Sequence, residues 1–575
     1  GLLAVALFAS ALSPFVLSKA LAPGLDRLFP QIQGDWFVPA VCIAVGQTIT
    51  VCFLVGRRLA RPRLRWLAFG LGAALIAAND FVLQNGYPGI HILLSAAGAT
   101  VLGASLAYCR SHWLSAFERF RSARGRRVAV SLGWSLAAAF AALTIVVPPA
   151  NGVQIELLER DTPLLFRGIR RFYGPSRIGG SEIPPELRPW FEARADRPDI
   201  PPTSERFLAE GPIVIFITID SLRADVLERH RHAAPNLHAL RESAVYFSQA
   251  RTSSTDTLKS LSTMLTGRHQ SMLTWSRGKG WRKIALQNDH GSRLGELLRK
   301  GGVATVTAET VSMLLPPVGL ARGFTEILAA PDETKYWTKC VEVTELLIER
   351  LRRHGSGPLF FYTHFLEPHA PYETYGKPAK SKFDAYLIEI SVVDEMIGRI
   401  RRAIKSLGLK KRTALIISAD HGEGFGEHRI YTHGKALYDI LVHVPLLVEL
   451  PGLKPRTIED FVLVMDVAPT VLDLFGLPTP GNWMAQSLTP LLAGSGGSES
   501  RPLLMELSAH RAMLFPDGLK VMKRRGTYEI YDVRRDPEEL HNLWDELGDE
   551  SKRRLGLLDA YVHAHTADPD EEEDD

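Results

Sequence analysis

Cysteine is scarce, with four in 575 residues. Cys42 and Cys52 share one apolar segment, Cys109 ends another, and Cys340 stands alone in the polar remainder. That excludes a disulfide framework, and cysteine zinc-ligand spacing, from the soluble part. An excess of one charge is also missing, since 67 Lys and Arg against 63 Asp and Glu leave a net charge of +4. The arginines gather beside apolar segments rather than on one soluble face, so no nucleic-acid partner is expected. Long apolar runs are confined to the first 150 residues, which Leu, Ala, Val, Phe and Gly dominate. A chain of this length is too long for one core and implies several domains.

A helix needs about 20 apolar residues to cross a bilayer. Five stretches qualify: 2–21, 36–56, 66–84, 89–109 and 128–147. Pro14 and Lys19 interrupt the first. The loop after the second span carries Arg57, Arg58, Arg61, Arg63 and Arg65, and the loop after the fourth carries six further arginines between Arg110 and Arg127. The loop after the first span holds only Arg27, and the turn after the third holds no base. Short basic loops stay cytoplasmic, so a multi-pass protein of the inner (cytoplasmic) membrane is expected, with membrane lipids as partners. Everything after Val147 is then periplasmic or extracellular. The first residue is Gly rather than Met, and the natural start is expected upstream. Asp80 reads as an interfacial residue. Residues 149–210, punctuated by ten prolines from Pro148 to Pro202, read as a linker. Within it, 157–173 fits either a membrane-surface amphipathic helix or a solvated one.

From Gly211 the pattern is that of an α/β domain. The run 213–219 (IVIFITI) is short, apolar and β-rich, as a strand buried on both faces should be; 359–362 (LFFY) and 414–417 (ALII) read the same way. Helical patterns at 237–243, 294–300, 341–353 and 383–407 lie between them. Such alternation predicts a mostly parallel sheet in a three-layer αβα arrangement. Polar residues cluster just past the strand ends, where open α/β sheets bind ligands. Asp220 follows the first strand, Thr363 to Tyr372 the second, and Asp420, His421 and Glu423 the third.

Six stretches in order carry a resemblance: ITIDSLRAD, the end of TLKSLSTMLTGRH, HFLEPHAPY, SADHGEGFGEH with THGK, DVAPTVLDLFGLP and EIYDVRRDPEELHNL. Over roughly residues 211–550 the chain resembles the sulfatase-like branch of the alkaline phosphatase superfamily. With five preceding spans its layout is similar to lipoteichoic acid synthases and phosphoethanolamine transferases. The expected architecture is a transmembrane region (1–148), the linker, an alkaline-phosphatase-like catalytic domain (211–495), a small antiparallel C-terminal subdomain (496–567) and an acidic disordered tail (568–575).

The resemblance implies one divalent metal ion, Zn, Mn or Ca, with Asp220, Asp420, His421 and Thr257 as ligands. Two carboxylates and an imidazole suit such an ion. Helix capping by Asp220 and a polar turn at Asp420-His421 are the plain structural alternatives. Formylglycine sulfatases carry Cys-x-Pro-Ser-Arg before a Thr-Gly pair. Counting back from Thr266-Gly267 puts Thr257 at that Cys, with Pro and Arg absent. A threonine alkoxide is what the resembled transferases use, so Thr257 is also the expected nucleophile, with Ser254, Thr255 and Ser260 as nearby substitutes. His369, His433 and Lys435 match the family's substrate-side positions: a histidine to protonate the leaving oxygen, the lysine to hold a negative oxygen. His364, His428 and His443 read as ordinary surface histidines, Arg223 as paired with Asp225, and Glu423 and Glu427 as loop-shaping residues. The substrate expected is an anionic ester. The first reading is phosphoryl transfer or phosphodiester cleavage on an envelope lipid or glycan, through a covalent threonine intermediate. Hydrolysis of sulfate esters is the alternative, and an inactive membrane scaffold the second alternative.

Overall fold

The computed structural model describes residues 183–565 apart from 193, 195–196, 278–283, 309–317, 329–338, 496–500, 509 and 525–526. The five apolar spans, the segment 157–173 and the acidic tail lie outside the described residues. Among the described residues no helix is long and apolar enough to cross a membrane.

An eight-stranded sheet forms the centre. Its strands are β1 (Ile213–Ile219), β2 (Val245–Phe247), β3 (Ala304–Ala308), β4 (Glu326–Leu328), β5 (Leu359–Phe365), β6 (Thr413–Ala419), β7 (Leu446–Glu449) and β8 (Arg456–Ile458). They lie in the order β8-β2-β7-β6-β1-β5-β3-β4. All pairings are parallel except those of β7, which runs antiparallel to both β6 and β2. Every residue of β1, β5 and β6 is buried, which is why these segments are almost wholly apolar. One helix group, α1 (Pro235–Ser243), α4 (Cys340–Arg352) and α5 (Lys382–Ser406), packs together. A second comprises α2 (Thr257–Thr266), α3 (Leu294–Lys300) and α6 (Val467–Leu474). The expected helices are all present, with ends shifted by one or two residues.

The strand expected at 359–362 is longer than its apolar run. β5 continues through Thr363 and His364 to Phe365, pairing Thr218 with His364 and Ile219 with Phe365. On the other side of β1, Thr218 faces Ser418 and Ile219 faces Ala419. The carboxyl ends of β1, β5 and β6 are therefore level, so Asp220 and Asp420 emerge side by side.

The C-terminal part is an antiparallel meander of β9 (Leu503–Leu507), β10 (His510–Leu514), β11 (Leu519–Arg524) and β12 (Thr527–Asp532), with α7 (Asp549–His565) against it. It has its own core around Leu504, Met513, Val521 and Ile530. Lys520 of β11 is fully buried; its Nζ donates to Asp439 Oδ1 at 2.7 Å and lies 2.8 Å from Glu539 Oε1, while Arg251 donates to Asp439 Oδ2 at 2.7 Å. These pairs fasten the meander to the segment around Asp439, which precedes β7. Within the stretch expected as linker, individual residues from 183 to 200 pack onto the folded part. Leu187 and Trp190 are buried in the C-terminal core, and Ile200 bridges Thr479. The prolines limit helix length here without preventing burial of isolated large side chains.

Candidate active site

Helix α2 begins at Thr257, which follows the capping residue Asp256; the Asp256 side chain accepts the Lys259 N–H at 3.2 Å. Gly267 closes this helix with φ +62, and a Cβ there would strike the Trp483 ring at 2.3 Å. Ser260 fixes the helix against the loop after β6, its hydroxyl lying 2.7 Å from the Asp420 carbonyl oxygen and 2.8 Å from that of Ser254. Thr257 Oγ1 thereby sits 3.2 Å from His421 Nε2, and the residue is 7% exposed.

His421 Nε2 is the focus of the cluster. It lies 3.2 Å from Asp420 Oδ2 and 3.9 Å from Asp220 Oδ1. His421 Nδ1 lies 2.9 Å from the Gly422 carbonyl oxygen, an atom that only accepts, so the ring hydrogen is on Nδ1 and Nε2 offers a lone pair. A Cβ on Gly422 would meet the Ile440 carbonyl oxygen at 2.3 Å, so this close approach demands glycine. Asp420 Oδ1 accepts the backbone N–H groups of Ser221 at 3.1 Å and His421 at 2.8 Å. Asp420 Oδ2 is buried and, among the described residues, has no hydrogen-bond partner. A carboxylate oxygen and an imidazole lone pair thus face each other without a proton between them. Two carboxylates, one free imidazole nitrogen and a hydroxyl fit a divalent cation of the zinc or manganese kind.

The titration pattern agrees. Burial, then the charge of Asp220, pushes the Asp420 carboxyl above its usual range. For Asp220 burial also acts upward, but the hydrogen bond from His364 and the nearby histidines outweigh it and hold that carboxyl well down. Buried like charges of this kind are costly until a cation offsets them.

Asp220 does not cap a helix; the first helical turn after it starts at Val226. His364 corrects a second expectation. It is fully buried rather than superficial, its Nε2 lies 3.2 Å from Asp220 Oδ2, and Asp220, His364 and Asp420 offer ligand atoms within 4.8 Å of one another. Of the other two set-aside histidines, His428 Nε2 meets the Glu538 carbonyl oxygen, whereas His443 is not a surface residue: its Nε2 meets the Ser248 carbonyl oxygen, and burial, then the charge of Arg251, pull its pKa down to about 4. Arg223 pairs with Asp225 and Glu427, both at 2.8 Å.

On the substrate side His433 stacks on His421, ring centres 4.3 Å apart, and His369 lies 5.0 Å from His433. Glu423, taken from sequence as loop-shaping, also orients this wall: it accepts the Tyr372 hydroxyl at 3.0 Å and lies 3.3 Å from His433 Nδ1. Burial lowers the His433 pKa, but the bond to Glu423 and the charges of Asp220, Glu423 and Asp420 outweigh it and raise it to about 9. Lys435 is exposed, on a loop held to the turn before α2 by a 3.0 Å bond from Thr255 Oγ1 to the Ala436 carbonyl oxygen. Sequence reasoning missed His364 and the Glu423–Tyr372 pair. The available signal was a histidine inside an otherwise buried strand, a position where polar groups need a partner.

Residues 212–477 match the family model described as Sulfatase. The chain is 25% identical to arylsulfatase K of Bos taurus over 241 residues, 36% of this chain and 42% of that protein. Less than half of that relative's length is therefore spanned. Among solved structures, a 2-O GAG sulfatase superposes with a TM-score of 0.53 at 19% identity, covering 63% of this chain and 94% of that one. The phosphonate monoester hydrolase of Agrobacterium radiobacter superposes with a TM-score of 0.50 at 20% identity, covering 61% and 95%. At such identities the structural likeness establishes the fold.

Proposed function

We propose that this chain, whose residues 212–477 match the Sulfatase family model, is a metal-dependent hydrolase or transferase of anionic esters with Thr257 as nucleophile. The observation that carries this reading is the meeting of Thr257 Oγ1, His421 Nε2 and Asp420 Oδ2, each 3.2 Å from the next. Asp220, Asp420, His421 and Thr257 would hold the ion. When bound, a divalent cation supplies Lewis acidity toward an ester oxygen and lowers the pKa of a hydroxyl in contact with it.

The remaining steps belong to side chains. Thr257 gives up its hydroxyl proton to solvent, and its Oγ1 then forms a bond to the central atom of the ester as the bond to the leaving oxygen breaks. His433, held at Nδ1 by Glu423, and His369 beside it are placed to give the leaving oxygen its proton. The same pair can then take one from the water or alcohol that releases the threonine ester. Lys435 balances the anion from the exposed rim.

Two anions remain in play, each with its own support. Sulfate-ester hydrolysis is the reading that the relatives favour, arylsulfatase K and the 2-O GAG sulfatase being sulfatases by name. Phosphoryl or phosphonate chemistry is favoured by the nucleophile position, since threonine is not a precursor of formylglycine. Turnover of paired aryl sulfate and aryl phosphodiester reporters by the purified full chain, with and without added metal, decides between them. Activity on neither, with metal bound, counts for the inactive scaffold. For location we keep the exported side of the cytoplasmic membrane, supported by the arginine-rich loops after the second and fourth apolar spans, with a substrate at the lipid surface.

A further inference from the structure

Two histidines border Asp220, and what their outward nitrogens touch gives them opposite roles. The Gly422 carbonyl fixes the His421 hydrogen on Nδ1 and frees Nε2 as a ligand atom. His364 Nδ1 instead lies 2.9 Å from Thr218 Oγ1, which lies 3.0 Å from the Tyr362 hydroxyl. Tyr362, Thr218 and His364 are all fully buried, and among the described residues the Tyr362 hydroxyl meets only Thr218. Tyr362 must therefore donate to Thr218, and Thr218 in turn to His364 Nδ1. The ring hydrogen is left on Nε2, 3.2 Å from Asp220 Oδ2.

A nitrogen that carries its hydrogen is a donor and not a metal ligand. For Nε2 to ligate, the hydrogen would move to Nδ1. Thr218 would then receive two donors, and a buried hydroxyl hydrogen would be stranded without an acceptor, which is costly. The two oxygens of Asp220 are already divided: Oδ2 faces His364, while Oδ1 accepts from Ser221 Oγ at 2.7 Å and is the oxygen 3.9 Å from His421 Nε2.

We propose that Tyr362, Thr218 and His364 form a buried relay that holds Asp220 by Oδ2 and turns Oδ1 toward the cation. His364 is thus a positioning residue for a metal ligand and is not itself a ligand. The inference rests on reading the site as a metal centre and adds three residues of β1 and β5 to what builds it.

Zinc binding to the purified full chain tests it, with affinities from chelator competition and the imidazole ligand count from zinc X-ray absorption. Wild type should show one imidazole per zinc. His364→Ala and Thr218→Val should each weaken zinc binding by about 10–100-fold, the range typical of lost outer-shell partners. The double variant should be no weaker than His364→Ala alone. His364→Gln, whose amide N–H can reach the Nε2 position, should recover most of the affinity, and it also serves if the alanine variant fails to fold. Two imidazoles in wild type, an unchanged affinity in folded His364→Ala, or no recovery by glutamine would overturn the relay. Wild-type protein that binds no zinc through Asp220 would instead overturn the metal-centre reading, and the relay with it.

Discussion

Consider Asp420→Asn in protein stripped of metal. Asp220 and Asp420 bring ligand atoms within 4.8 Å of each other in a fully buried setting. At an effective dielectric of about 20, two unit charges at that separation repel by about 3 kcal/mol. Asparagine keeps an oxygen for the Ser221 and His421 N–H groups, so neither backbone donor is orphaned. The nearby rings of His421 and His364 already offset part of the repulsion. The net expectation is therefore a gain of about 1–3 kcal/mol in chelator at pH 8. The pH trend follows from the direction of the shift. A carboxyl raised by folding binds its proton more tightly in the native state, so apo wild type loses stability as pH rises beyond the ordinary carboxylate range. The variant should lack that part of the slope. Metal reverses the ranking. At a hundredfold excess over its dissociation constant an ion stabilises wild type by about 2.7 kcal/mol, and the variant should gain little. Urea unfolding in chelator and in zinc measures both arms. A variant less stable than wild type in chelator, or equally stabilised by zinc, would refute the reasoning.

Thr257→Ala should cut turnover by on the order of 10³-fold or more, as loss of a nucleophile does, while Thr257→Ser retains a substantial part; metal analysis of both variants keeps the result specific to chemistry. Lys520→Met leaves Asp439 and Glu539 facing each other without their shared cation, and urea unfolding should show a loss of about 3–5 kcal/mol. The exposed pair Arg229–Glu538, by contrast, should contribute at most about 1 kcal/mol. Burial, aided by the charges of Glu367 and Glu373, raises the Glu389 carboxyl to about 8 from an ordinary 4.5. Its neutral form is favoured by folding, so stability is lost as pH climbs between those values, and the advantage of Glu389→Gln over wild type should be larger at pH 8.5 than at pH 5.5.

The strands were legible because a segment buried on both faces must be apolar, and IVIFITI stands out for that reason alone. Their polar successors Asp220, Asp420 and His421 were legible because a sheet presents its ligands at strand ends. Thr257 was readable from its distance to Thr266-Gly267, a helix length that the structure preserves. His364 was not readable, because its role depends on lateral pairing: it is level with Thr218 on β1, and no periodicity within β5 reveals a neighbour 146 positions away. Glu423 was half read. Its bond to the Gly424 N–H at 3.2 Å is local, whereas Tyr372 and His433 arrive from other loops. Trp190 escaped for a similar reason, since a single aromatic among prolines carries no pattern until His565 of α7 meets its carbonyl oxygen at 2.6 Å.

The most direct test of the account is anomalous diffraction from crystals of the full chain grown with zinc or manganese. One strong peak is expected at about 2.0–2.3 Å from Asp220, Asp420 and His421 Nε2, with Thr257 Oγ1 beside it and His364 outside that sphere. A fully loaded crystal with the ion elsewhere, or with Thr257 turned away from it, would contradict the account.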